Sequence, residues 1–175
     1  KKYGKEAKKL FDDAQEMLET IKKDGRIKPK GVFGLWPACR RTNDVVLFDP
    51  ENMKKEIGTI NFLRQQVKKK EGTPHFCLAD FVAGESSGVQ DSIGAFAVTA
   101  GAEVDEMAKE YEAKNDDYSS IMMKAVGDRL AEAFAEHLHE KVRKDFYGIE
   151  ESFSNEELIK ESYQGIRPAM GYPSC

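Results

Sequence analysis

The residues best suited to hold a ligand lie near the end of the chain, in residues 167–173, which read RPAMGYP. Arg167 offers a planar, permanently charged fork that suits a carboxylate. Gly171 lets the backbone come close to a ligand, and Tyr172 adds an aromatic face with a hydroxyl. The two prolines limit the freedom of the stretch, so little entropy is lost on binding. The pattern predicts a site for an amphoteric ligand with an α-carboxylate, a positive centre and an aromatic ring.

A row of carboxylates recurs every four residues in a predicted long helix: Asp128, Glu132, Glu136 and Glu140. One interpretation is a solvated acidic face. Two observations favour another, because like charges at this spacing cost a few tenths of a kcal/mol each and Glu132 lies between alanines where we expect the helix to be covered. A buried carboxylate there needs a cation, which would be either Arg129 or a cationic ligand.

Two other motifs give only weak support for a catalytic or metal site. Gly84-x-Ser86-x-Gly88 matches the nucleophile elbow of serine hydrolases, but the elbow needs a helix after its turn, and another strand is predicted here. His137 and His139 are two residues apart on a helix and point about 200° away from each other, so we predict no metal site. The sequence also lacks a Gly-x-Gly-x-x-Gly motif and a phosphate loop.

Composition limits the remaining functions. The chain has 175 residues, 33% of them charged, and a net charge of −4, which favours one domain with a solvated exterior and gives no basic excess for nucleic acid. No apolar run approaches the roughly 20 residues of a membrane helix. The three cysteines are far apart and odd in number, which predicts reduced thiols in a cytoplasmic protein. We therefore expect neither a nucleic acid nor a membrane as partner.

Helical periodicity identifies four segments that position these residues. The first is an amphipathic helix that carries Leu10 on its apolar side and ends at Gly25. Two more are predicted from Glu103 to about Lys114 and, with apolar residues every four positions, over residues 118–146. The small residues around Leu130 indicate that this long helix is central and enclosed. A Ser-x-x-Glu capping box opens a fourth, short helix at residue 154.

Short apolar runs between turn residues predict a mostly antiparallel or mixed sheet. Strands are expected at residues 31–36, 44–48, 76–82 and 93–99, and the last of these is expected to be buried. Residues 59–67 are ambiguous between strand and helix. The elements together give an α+β fold.

The chain closely resembles the C-terminal activation domain of cobalamin-dependent methionine synthases, and the resemblance covers nearly its whole length. It rests on the stretch GIRPAMGYP from Gly165 and on several further segments. These begin at Gly34 (GLWPA), Leu63 (LRQQ), Cys77 (CLADFVA), Ile93 (IGAFAV), Asp116 (DDYSSIM), Asp128 (DRLAEAFAEHLHE) and Asn155 (NEELI).

The resemblance implies a C-shaped α+β domain over residues 1–175, with a twisted, mostly antiparallel sheet and flanking helices. It implies that Arg-x-x-x-Gly-Tyr binds S-adenosylmethionine, with Arg167 at the methionine carboxylate, the Ala169 backbone in contact, and Gly171 and Tyr172 completing the site. Glu132 and Glu161 are expected near the cationic end of the ligand. We expect the domain to be incomplete at both ends, and the chain alone not to be catalytically active.

The resemblance also implies a role in a methyltransferase of methionine biosynthesis. The domain would supply a methyl group for the reductive remethylation of oxidised cobalamin. Its partners would be the cobalamin-binding module of the same enzyme and a flavodoxin-like or flavoprotein electron donor. Cobalamin and zinc are expected only in other modules, since their binding motifs are absent here. The alternative is a non-catalytic interaction module that docks the cobalamin module or the electron donor.

Overall fold

A computed structural model describes residues 4–168, and the chain divides into two compact units. Within the described residues, the helical unit comprises residues 4–32 and 97–160. The sheet unit comprises residues 33–96 and 161–168. None of the helices in the described residues is long and apolar enough to cross a membrane.

The helical unit contains all four predicted helices. They are α1 (Gly4–Asp24), α2 (Glu103–Glu112), α3 (Asp117–Asp145) and α4 (Asn155–Ile159). Gly25 has a φ of 67° and donates its amide to the Ile21 carbonyl, which confirms the predicted end of α1. The capping box of α4 is confirmed, because the Ser154 amide donates to the Glu157 carboxylate and the Glu157 amide to the Ser154 hydroxyl.

Packing of α1, α2 and α3 forms the core of the helical unit. Its buried members are Met17, Ile21, Ala100, Val104, Met107, Ala108, Met122, Met123 and Val126. The first half of α3 supplies the last three of these. One expectation is wrong, because the middle of α3 around Leu130 is only half-buried or exposed. Leu10, on the apolar side of α1, is also exposed.

Four strands form the sheet: β1 (Lys30–Arg41), β2 (Asp44–Asp49), β3 (Asn52–Asn61) and β4 (Asp91–Thr99). They lie in the sheet unit except for the first three residues of β1 and the last three of β4, which belong to the helical unit. Their order in the sheet is β3-β2-β1-β4. The pairings of β1 with β2 and of β2 with β3 are antiparallel. This arrangement, with one long helix elsewhere in the chain, confirms the predicted α+β class.

Three strand predictions need correction. The run at residues 76–82 does not form a strand: Leu78–Phe81 is a short 3-10 helix. The predicted strand at residues 93–99 is confirmed as β4, but it is half-buried to exposed rather than buried. Only the first three residues of the ambiguous run 59–67 belong to a strand, the end of β3.

The core of the sheet unit holds this 3-10 helix in place. Ala38 and Val45 from neighbouring strands pack in one buried cluster with Cys77, Ala79 and Val82. Ala79 is fully buried. The short 3-10 helix is therefore attached to the sheet through its apolar residues.

Candidate ligand-binding site

A groove of about 400 Å³ lies in the sheet unit. One part of its lining, or wall, comes from residues of the segment 161–168, and the other from residues of the 3-10 helix Leu78–Phe81. Its lining residues are Leu78, Phe81, Glu161, Tyr163, Gly165, Ile166, Arg167 and Pro168. The groove therefore brings together two of the predicted site residues, Glu161 and Arg167.

Opposite charges lie on the same wall of the groove. Arg167 is half-buried and Glu161 is exposed, six residues earlier in the chain. Glu161 follows the end of α4 with a φ of 52°, in the left-handed region that glycine normally occupies after a helix. A guanidinium and a carboxylate in one groove can bind a molecule that carries a negative and a positive group.

The other wall is apolar. Phe81 exposes 64% of its surface and Leu78 is half-buried, although both flank the fully buried Ala79. In the same 3-10 helix, Asp80 accepts hydrogen bonds from two guanidinium nitrogens of Arg64 at 2.8 and 2.7 Å. These bonds lower the pKa of Asp80 to about 2. The wall thus presents an exposed aromatic face, and the ionised carboxylate next to it in the chain belongs to the 3-10 helix but does not line the groove.

The remaining predicted site residues are not placed in the groove. Ala169, Gly171 and Tyr172 lie outside the described residues. Glu132 belongs to α3 of the helical unit, where its side chain is 62% exposed and forms an ion pair of 2.8 Å with Arg129. For Glu132, the interpretation of the carboxylate row as a solvated acidic face is therefore the correct one. The expectation that Glu132 is buried is wrong.

Sequence reasoning missed the apolar wall. Leu78, Phe81 and Tyr163 line the groove, but no ligand role was predicted for them. A usable signal for the wall was Asp80, three residues after Cys77, because a carboxylate at that spacing can close a local turn by accepting the earlier amide. That turn brings residues 78 and 81 to one side.

The two other motifs lie in a short turn and on the surface of α3. Ser86 lies in a three-residue 3-10 turn, Glu85–Ser87, so the helix of a nucleophile elbow is absent at this point. His137 Nδ1 lies 3.9 Å from a Glu140 carboxylate oxygen, an i,i+3 contact on the surface of α3. Among residues 4–168, no cluster of three His, Cys, Asp or Glu residues has the arrangement of a metal site.

A second cavity, of about 460 Å³, lies in the helical unit beside Lys144 and residues 148–151. Two of its charged side chains form ion pairs with other residues of the helical unit. Lys144 pairs with Glu140 at 2.5 Å, and Glu151 pairs with Arg143 at 2.6 Å. The sheet-unit groove is therefore the better candidate, since it contains the residues that sequence reasoning selected.

Comparison with known proteins decides the family. The model of the family described as "Vitamin B12 dependent methionine synthase, activation domain" matches residues 1–175. The chain belongs to this activation domain family. A solved structure of the MetH reactivation domain bound to AdoHcy is 51% identical and superimposes with a TM-score of 0.91.

That match covers 100% of the present chain and 54% of the solved chain. The chain thus spans about half the length of this relative. Its membership in the activation domain family confirms the resemblance found in the sequence. The family is part of a methyltransferase, the B12-dependent methionine synthase.

Proposed function

We propose that this chain binds S-adenosylmethionine in the sheet-unit groove and presents it for the reactivation of a cobalamin-dependent methionine synthase. The observation that carries the proposal is the groove itself, which Arg167 and Glu161 line together with Leu78 and Phe81. The relative of known structure holds AdoHcy, the product that remains when S-adenosylmethionine has lost its methyl group. That likeness supports a ligand of the same chemical class here.

The described residues fit such a ligand. Arg167 would bind its α-carboxylate through paired N–H donors, and Glu161 would compensate positive charge on its ammonium or sulfonium end. Phe81 and Leu78 supply apolar surface for the uncharged part of the molecule. When bound, S-adenosylmethionine supplies a methyl group on a positively charged sulfur. We keep Ala169, Gly171, Tyr172 and Glu132 as further proposed contacts.

The chain's own contribution is placement. A ligand held at a fixed position beside a reaction partner reacts as if at a high effective concentration. Arg167 fixes one end of the ligand, and its half-burial strengthens the pairing relative to an exposed guanidinium. The proposed role is therefore regulatory within a methyltransferase, and it needs no catalytic residue in this chain.

The proposed partners are the cobalamin-binding module of the same enzyme and a flavodoxin-like or flavoprotein electron donor. Membership in a family of methionine synthase domains supports the first of these. We propose a cytoplasmic location, which the free and buried thiols of Cys39 and Cys77 support. The alternative, an interaction module without ligand binding, predicts docking of the same partners but no response to S-adenosylmethionine.

Calorimetric titration of S-adenosylmethionine into the full-length protein tests the proposal. We expect saturable binding at one site, weakened about 10-fold or more in Arg167→Ala, because a hydrogen bond to a charged group contributes about 1.5–3 kcal/mol. Absence of binding by the unaltered protein, together with retained docking of a cobalamin module, would leave the interaction module as the function.

A further inference from the structure

Arg64 ties three separate parts of the sheet unit together. Its guanidinium donates to Asn43 Oδ1 at 2.9 Å in the turn between β1 and β2, and to the His75 carbonyl at 2.6 Å. It also donates to both carboxylate oxygens of Asp80. Only arginine can make this set of bonds, because its planar fork carries five N–H donors in fixed directions.

Asp80 in turn shapes the apolar wall of the groove. Its carboxylate accepts the Cys77 amide at 3.0 Å, and its own amide donates to the Cys77 carbonyl at 2.9 Å. These two bonds close the 3-10 helix whose first and last residues, Leu78 and Phe81, line the groove. The position of Phe81 therefore depends on a carboxylate that Arg64 holds from the other side.

We propose that Arg64 and Asp80 are positioning residues of the ligand groove, which keep Leu78 and Phe81 in the lining that they share with Glu161 and Arg167. The identity of the ligand in this proposal rests on the proposed function. It goes beyond the ligand contacts, because Arg64 and Asp80 are not themselves among the groove-lining residues.

The partial exposure of the Arg64–Asp80 pair indicates that its loss affects the groove wall more than the stability of the whole protein. The side chains of Arg64 and Asp80 are 31% and 34% exposed, and ion pairs of this exposure add little to global stability. Cys77 and Ala79 stay anchored in the apolar core of the unit without the pair. Loss of the pair should therefore leave the fold intact and loosen only the wall.

The first test is hydrogen exchange in the full-length protein without ligand. In Arg64→Lys and in Asp80→Asn we expect at least about 10-fold faster exchange of the Asp80 and Val82 amides, which close the 3-10 helix. Exchange in α3 should be unchanged. Unaltered exchange of both amides would overturn the positioning role, whatever ligand the groove binds.

The second test is ligand affinity, measured with S-adenosylhomocysteine as the probe. We expect Arg64→Lys to bind about 5- to 10-fold more weakly. A matched control is Arg41→Lys: Arg41 makes the same kind of forked ion pair, with Glu85 and Glu56 at 2.6 and 3.0 Å, and neither partner lines the groove. The control should bind normally. Equal losses in both variants would overturn the proposal.

A double-mutant cycle distinguishes positioning through Phe81 from a general effect. In a Phe81→Ala background, Arg64→Lys should weaken binding less than about 2-fold, because the side chain that it positions has been removed. A full additional loss would contradict the proposal. If the unaltered protein does not bind S-adenosylhomocysteine at all, the proposed function fails, and the exchange experiment alone decides the role of Arg64 and Asp80.

Discussion

Arg143 and Glu151 form an ion pair that is almost completely buried, since each side chain exposes only 3% of its surface. The guanidinium Nε donates to both carboxylate oxygens at 3.1 Å, and Nη2 donates to one of them at 2.6 Å. The pair attaches the chain beyond α3 to the end of that helix. Because the pair is buried, removal of one partner would leave the other charge away from water.

Removal of one partner of this pair should be costly. Glu151→Ala leaves a guanidinium buried without its carboxylate, and we expect the free energy of unfolding to fall by about 3–5 kcal/mol in urea denaturation. Glu19→Ala, which breaks the exposed pair of 2.6 Å with Lys22, is the control and should change it by less than about 1 kcal/mol. Similar losses of unfolding free energy in both variants would contradict the claim that burial makes the Arg143–Glu151 pair costly to break.

Glu161→Gly should separate stability from ligand binding. Because Glu161 has a φ of 52°, glycine at this position relieves about 1 kcal/mol of backbone strain and should raise the free energy of unfolding. The same change removes the carboxylate from the groove and should weaken binding of S-adenosylmethionine. Glu161→Gln is the control, with weaker binding but unchanged stability. A glycine variant that binds normally would remove Glu161 from the site.

Gly127 should resist replacement although it lies inside a helix. A Cβ at this position would lie 2.6 Å from the Val104 Cγ1 atom of α2. The clash outweighs the gain of about 1 kcal/mol in helix propensity, so we expect Gly127→Ala to destabilise the protein by about 1–3 kcal/mol. Val104→Ala should cost less in the Gly127→Ala background than alone. Additive losses would show that the two residues are not in close contact.

Acid should weaken the Arg64–Asp80 pair in a defined range. The pKa of Asp80 is about 2, below its ordinary value, so its contribution is present above about pH 4 and is lost as the pH falls toward 2. The difference between the unaltered protein and Asp80→Asn in the protection of the Val82 amide from exchange should therefore shrink over this range. Carboxyl resonances report the pKa directly, and it should rise in Arg64→Lys. An unchanged pKa would contradict the assigned pairing.

Periodicity and capping predicted the helices well. The apolar spacing of α1 and α3 requires helices, and Gly25 and the capping box at residue 154 mark helix ends by local chemistry alone. The strand β2 was also predicted, because its apolar run lies between turn residues. Periodicity, caps and turn residues act through residues that are close together in the chain. A single sequence is therefore enough to predict these elements.

The errors arose where contacts between residues far apart in the chain determine the local structure. Residues 76–82 alternate like a strand, with Cys77 and Ala79 buried, but Asp80 closes a 3-10 helix that Arg64 supports from 16 residues away. The start of β3 was missed because the strand lies at the edge of the sheet and is almost entirely exposed, so its sequence is polar. Strand β1 was predicted to end before Pro37, but it continues to Arg41. Pro37 does not interrupt its pairing with β2, because that pairing begins only at Ala38.

The candidate site was predicted only in part. Arg167 was selected for its own chemistry, and Glu161 through the family resemblance; both lie in the groove. The sequence did not indicate that Phe81 lines the same groove, because the direction of the turn at residues 77–80 cannot be read from the sequence. It also overstated the burial of Glu132, since alanine neighbours on a helix do not by themselves establish that another element covers them.

The most direct measurement combines a change in the protein with a matched change in the ligand. S-adenosylmethionine and its decarboxylated analogue are titrated into the unaltered full-length protein and into Arg167→Ala. If Arg167 binds the carboxylate, the variant should lose about 10- to 100-fold in affinity for S-adenosylmethionine and less than about 2-fold for the analogue. Equal losses for both ligands, or none, would contradict the central claim that Arg167 recognises the amino-acid end of the ligand.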